Sequence, residues 1–292
     1  MRMADPLDAP PLERRGGTVQ GRPATWWEAG PSGGPPVLLL HGSGIDEARL
    51  SWWPVAALLA ARGARVLAPD LPGYGGTRGM GRAAGVPEMV RWVRAFRAAA
   101  GAPPAVTAGL SMGGAIAIGL ALAEPEAVTH LVPVASYGVS ASMPRHRLRR
   151  LIASMPGQAL GYAAIASSPF LARRILCRVT TRRGAVDGAL VAAFRRAARR
   201  QVGTPALQGF VAREVLGGGF ASDFAARLGE IDCPITFVHG SGDPLIRPED
   251  VRRAAVPPAR LVELDCGHWP PREAPDEVAA VLGDALGLRV AA

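Results

Sequence analysis

The sequence predicts an α/β fold, a mostly parallel sheet with helices on both faces and an inserted helical segment. Three observations lead there. Short, wholly apolar runs such as VLLL (37–40) and VLAP (66–69) read as strands buried on both faces. Runs of helical length lie between them, and strands that alternate with helices close into a parallel sheet. Residues 138–222 break this rhythm: they hold no clear apolar strand and are punctuated by Pro and Gly.

In chain order, the first 15 or so residues are Pro-rich and charged and read as a loose arm. Residues 16–30 alternate like an edge hairpin. A buried strand is expected within 35–42, a helix carrying Trp52 and Trp53 over 50–62, and a second buried strand within 64–73. Residues 87–101 form an amphipathic helix opened by Pro87 and closed by Gly101. A strand over 105–110, a helix over 112–124 and a strand over 130–136 follow. After the inserted segment, strands are expected at 234–240 and 259–267, with helices near 248–255 and 275–287. The expected division is therefore a core of 1–137 and 223–292 and a helical cap of 138–222. No internal repeat is visible.

A chain of 292 residues with 49% hydrophobic content is long enough for one large core. All 33 basic residues are arginine. The absence of lysine excludes Schiff-base, Ser-Lys and P-loop chemistry together. Residues 138–222 contain 14 Arg against Asp187 and Glu214, whereas the remainder has 19 Arg against 22 acids. Such a basic cap suits an anionic small molecule or partner; the plainer alternative is a solvated helical surface. Its Arg-rich stretches lack interleaved aromatics, so no nucleic-acid partner is expected. Cys177, Cys233 and Cys266 have neither disulfide-framework nor zinc spacing. The opening MRMADPLDAPPLERRGG holds no apolar signal core, and Pro103, Pro104 and the turn at Ser111 divide the uncharged run 101–123. A cytoplasmic protein with no integral membrane segment is expected.

The chemistry concentrates in Gly109-Leu110-Ser111-Met112-Gly113-Gly114, a G-x-S-x-G between a strand-like and a helix-like run. A serine at such a bend takes a strained backbone, and Gly109 and Gly113 spare it a clash. Serine is a weak nucleophile unless a base held by a carboxylate takes its proton. Five histidines compete for that role. His130 opens a strand, His146 lies in the Arg-rich cap, His239 sits inside an apolar run, and His41 ends a strand before a Gly-rich turn. His268 follows the strand LVELDCG and precedes Trp269, in a loop where open α/β sheets carry their sites. Asp243, in GSGDP, is the candidate carboxylate, giving the chain order Ser111, Asp243, His268. Asp70 also ends a strand, but it precedes the serine and suits a turn. The backbone N–H groups of Met112 and Ser43 are the candidate oxyanion donors, with Gly44 an alternative to Ser43 and His41, Gly42 and Gly44 shaping that turn.

Taken together, HGSG (41–44), DLPGYG (70–75), GLSMGG (109–114), GSGDP (240–244) and CGHW (266–269) resemble the α/β-hydrolase family over about 17–288. The resemblance implies an eight-stranded, mostly parallel sheet with a helical cap after the sixth strand. It implies Ser111 as nucleophile, Asp243 as orienting acid and His268 as base, with no metal and no cofactor. Family members that cleave carbon–halogen bonds or epoxides use an aspartate nucleophile, which this chain lacks. The leading expectation is hydrolysis of a small or medium ester, thioester or lactone through an acyl-enzyme. Carbon–carbon hydrolysis of a ring-cleavage diketone is the alternative, although such enzymes usually carry asparagine where Leu110 stands. A ligand-binding or acyl-transfer protein on the same fold is the third.

Overall fold

The computed structural model describes residues 12–77, 79, 84–140, 151, 157–182, 184–204, 206–216 and 219–288. Among these, eight strands form one sheet: β1 (Glu13–Val19), β2 (Arg22–Ala29), β3 (Pro36–Leu40), β4 (Arg65–Pro69), β5 (Ala105–Leu110), β6 (Val128–Val134), β7 (Thr236–Gly240) and β8 (Arg260–Leu264). Their order is β1-β2-β4-β3-β5-β6-β7-β8. β2 runs antiparallel to both β1 and β4, and every other neighbouring pair is parallel. The expected edge hairpin is β1 and β2, turned at Gln20 and Gly21.

Side chains alternate across the sheet, so an apolar strand feeds two cores at once. In β3, Val37 and Leu39 face one layer and Leu38 and Leu40 the other, all four no more than 1% exposed. The first layer packs under α1 (Ala48–Ala61) and α10 (Pro275–Ala285), through Trp52, Leu59, Val278 and Leu282. The second packs under α2 (Val86–Ala99) and α3 (Met112–Ala123), through Met89, Phe96, Ile116 and Ile118. Each such fully buried side chain contributes about 1.5–3 kcal/mol. The sixth strand ends at Val134, two residues short of expectation, because Ala135 turns out of the extended region at φ 42°.

The strand order reverses between β3 and β5. From β3 the chain steps outward to β4, returns to β5, and then proceeds the other way to β8. A crevice opens at such a switch point, beyond the carboxyl ends of the strands. The turn after β3 and the turn after β5 both lie there.

Among the described residues, the segment between β6 and β7 includes the helices α4 (Gln158–Ser167), α5 (Pro169–Val179), α6 (Gly188–Gln201) and α7 (Ala206–Glu214). The Ser168 hydroxyl caps α5 by accepting from Leu171 N at 3.1 Å, and Asp187 caps α6 by accepting from Leu190 N at 2.6 Å. The buried carboxylate of Glu214 ties α7 to the core, accepting from Val86 N at 2.6 Å and from the Tyr137 hydroxyl at 2.9 Å. His146 lies outside the described residues. Two further α-helices are α8 (Pro248–Ala254) and α9 (Pro270–Glu273).

Candidate active site

Ser111 forms the bend between β5 and α3 with φ 52° and ψ −113°, a conformation that L-residues seldom adopt. Neighbouring backbone holds it there. Its N–H donates to Val134 O at 2.9 Å, and its carbonyl accepts from Gly114 N at 3.0 Å and Tyr137 N at 3.1 Å. The bend is this tight because its glycines leave no room for anything larger. A Cβ on Gly109 would collide with the Gly113 carbonyl, and one on Gly113 with the carbonyl oxygens of Leu40 and His41. The amino end of α3 thus sits directly against the end of β3.

Asp243 and His268 follow β7 and β8. His268 Nδ1 lies 2.7 Å from Asp243 Oδ2. The Asp243 side chain is shut off from solvent, and that of His268 is 12% exposed. The other carboxylate oxygen accepts from Leu245 N at 2.7 Å and Ile246 N at 3.0 Å. Burial alone would raise the Asp243 carboxyl, but the charge of His268, its hydrogen bond and the nearby His239 hold it below the ordinary carboxylate value. An imidazole whose Nδ1–H is committed to a carboxylate presents Nε2 as a proton acceptor.

The loop of His268 is held from both sides by Glu273 of α9. That carboxylate accepts from Gly267 N at 3.0 Å and Trp269 N at 3.1 Å, and across the molecule from Thr181 N at 2.7 Å and Arg182 N at 3.0 Å. The His268 N–H donates to Val179 O at 2.7 Å, at the end of α5. The His268 loop is therefore held by α9 and by the end of α5.

The HGSG turn borders the bend: a Cβ built on Gly42 would stand 3.6 Å from Ser111 Cβ. A buried carboxylate shapes this turn too. Asp46 accepts from Gly42 N at 2.7 Å, Glu47 N at 2.8 Å and the Ser51 hydroxyl at 2.7 Å. Trp269 Nε1–H in turn donates to the Ser51 hydroxyl at 2.7 Å. Trp269, Ser51, Asp46 and Gly42 thus form one hydrogen-bonded chain from the His268 loop to the turn beside Ser111. Burial raises the Asp46 carboxyl to about 7. Among the described residues, no protein acceptor takes the N–H of Met112 or of Ser43.

The other histidines have structural partners. His41 is fully buried; its Nδ1–H donates to Gly42 O at 2.8 Å, and its Nε2 accepts from Leu71 N at 2.9 Å. Burial lowers it to about 4. His130 Nε2 meets the Thr236 hydroxyl at 2.9 Å. His239 Nε2 contacts Ile246 O at 3.2 Å and stands 3.6 Å from Asp243, beside the site and not only in the core. Asp70 serves a turn, accepting from Ala48 N and Gly76 N. Sequence reasoning missed Asp46, Ser51 and Glu273. The available signals were an acid five residues after His41 and another five after His268.

Residues 35–275 match the family model described as alpha/beta hydrolase fold. A pimeloyl-[acyl-carrier protein] methyl ester esterase of Aromatoleum aromaticum is 30% identical over 282 residues, covering 86% of this chain and 98% of that protein. A 2-hydroxy-6-oxo-2,4-heptadienoate hydrolase of Pseudomonas putida is 34% identical over 108 residues, 37% of this chain and 39% of that protein. The enol-lactonase of Burkholderia xenovorans superposes with a TM-score of 0.75 at 21% identity, over 94% of this chain and 100% of that chain, and shares the fold.

Proposed function

Because the chain belongs to the α/β-hydrolase family and is an enzyme of the hydrolase class, we propose that it cleaves a small or medium carboxylic ester, thioester or lactone with Ser111 as nucleophile. The observation that carries this reading is the 2.7 Å contact between His268 Nδ1 and the solvent-excluded Asp243 carboxylate, each following a strand of the same sheet whose β5 leads into Ser111. In this mechanism His268 Nε2 takes the Ser111 proton as Oγ adds to the substrate carbonyl. The N–H groups of Met112 and Ser43 stabilise the tetrahedral oxyanion. The imidazolium, stabilised by Asp243, returns its proton to the departing alcohol or thiol. Water activated by the same imidazole then hydrolyses the acyl-enzyme. The low-lying carboxyl of Asp243 suits this role, because it stays ionised while it faces a transient imidazolium.

The test is mass spectrometry after a fluorophosphonate probe, with hydrolysis of a p-nitrophenyl ester series in parallel. Wild type is expected to carry the label on Ser111, and Ser111→Ala to lose both label and turnover. A folded protein that leaves Ser111 unlabelled, or an alanine variant with unchanged turnover, overturns the proposal.

Carbon–carbon hydrolysis remains a second reading, favoured by the likeness to the heptadienoate hydrolase. Leu110, 3% exposed, stands against it in place of the asparagine expected there. Turnover of a dienoate ring-cleavage product faster than of p-nitrophenyl acetate would select this second reaction on the same residues.

A further inference from the structure

Several arginines of this chain are paired with carboxylates. Arg94 and Arg97 share Glu124, Arg247 and Arg253 share Asp250, and Arg182 holds Glu277. Others are not, and one region gathers several of these around a cavity. A cavity of about 570 Å³ opens between α6, the start of α1, the loop after β4 and Trp27 of β2, and five guanidinium groups line it: Arg14, Arg49, Arg196, Arg200 and Arg272. Its acids are Glu47 and Asp70, and both are already engaged. Glu47 takes Arg200 with both oxygens, at 2.6 and 2.7 Å. Asp70 accepts two backbone N–H groups, at 2.9 and 3.1 Å.

Among the described residues, Arg14, Arg49, Arg196 and Arg272 have no carboxylate within 4.0 Å. Asp187 and Asp46 act on Arg272 only from farther away. Arg272 Nε–H is buried and finds no acceptor among the described residues. Leaving a buried donor without a partner is unfavourable, so the site favours an occupant that accepts. Arg49 is held over the faces of Trp27 and Trp53, 5.2 and 5.0 Å from their ring centres. A guanidinium stacked this way keeps the donors in its own plane for a planar anion. Ser111, Asp243 and His268 do not line this cavity.

We propose that this cavity is an anion-binding site separate from the Ser111 centre, taking an organic acid of two or more negative charges, either a phosphate ester or a dicarboxylate. Its volume falls in the range of small-molecule pockets. Its donors suit bidentate binding of carboxylate or phosphate oxygens.

The test is calorimetric titration of the full-length protein with inorganic pyrophosphate and with succinate, on wild type and Ser111→Ala. Both proteins are expected to bind one equivalent of at least one probe, more weakly as salt rises. Arg49→Gln/Arg196→Gln should weaken binding about 10-fold or more. Arg174→Gln/Arg213→Gln removes the same charge from exposed positions on α5 and α7 and should bind as wild type. Should the first double variant melt below wild type, the exposed Arg196→Gln alone provides the reading. No saturable binding at millimolar probe, or equal weakening in the control variant, overturns the site. Kinetics then identify the source of the anion. If Arg196→Gln raises KM for an ester with a remote carboxylate but not for p-nitrophenyl acetate, the anion belongs to the substrate. If pyrophosphate alters turnover of the neutral ester in wild type and not in the variant, it is a separate effector. Binding by Ser111→Ala keeps this proposal distinguishable from the hydrolase reading.

Discussion

Glu273 accepts four backbone N–H groups from two distant loops, and two of the four flank His268. Glu273→Ala would orphan these donors, at about 1–3 kcal/mol each where they stay buried. The variant is expected to lose several kcal/mol in urea unfolding and to lower kcat more than it raises KM, because the imidazole loses its fixed position. Asp243 acts on the imidazole itself. Asp243→Asn keeps the size of the side chain but no longer favours the tautomer that leaves Nε2 free. A fall in kcat of about 10⁴-fold, with the fold intact by circular dichroism, is expected. A loss below 10-fold would remove Asp243 from the mechanism.

At the scale of elements, the site depends on how closely α3 meets β3 and on the chain from the His268 loop to the HGSG turn. A methyl group at Gly113 would enter the carbonyls that end β3. Because both partners are backbone, neither can move aside alone. Gly113→Ala is expected to destabilise by more than the 1–3 kcal/mol typical of overpacking, seen as a lowered Tm or insoluble protein. Ser51 connects two elements through one hydroxyl, receiving from Trp269 and donating to Asp46. Ser51→Ala leaves the indole N–H without an acceptor and is expected to cost about 1–3 kcal/mol in urea unfolding. If the chain aligns the two loops, kcat falls with it while the fluorophosphonate still labels Ser111, only more slowly.

For the molecule as a whole, burial of charge ties stability to pH. The Asp46 and Asp70 carboxyls are raised to about 7 by burial, from an ordinary value near 3.8. Between those values the folded state holds protons that the unfolded state has lost, so their contribution falls as pH rises from about 4 to about 7. His41, lowered to about 4, acts in the opposite sense over an overlapping range. Asp243, held below the usual carboxylate range, stabilises above that range and loses its contribution as pH falls through it. Comparing wild type with Asp46→Asn isolates one of these groups. The stability difference, wild type minus variant, is expected to fall as pH rises from 4 to 7, by up to about 1.4 kcal/mol per pH unit. A difference independent of pH in urea titrations would show that Asp46 does not titrate there.

The parts of this protein that were legible in its sequence are those set by neighbours along the chain. The apolar strand runs, the helices between them and the strand–serine–helix bend at Ser111 depend on local periodicity and on glycines a few residues apart, and each lies within a few residues of its expected place. The pairing of Asp243 with His268 followed from chain order and strand ends, although the approach of His239 did not. Tertiary structure alone decided the rest. Trp269 and Ser51 are 218 positions apart, and Glu273 reaches back 92 positions to Thr181. Four arginines without acids gather around one cavity from β1, α1, α6 and α9. No pattern of composition encodes these meetings, because they follow from how the sheet orders its strands and where the helices between β6 and β7 come to rest on it.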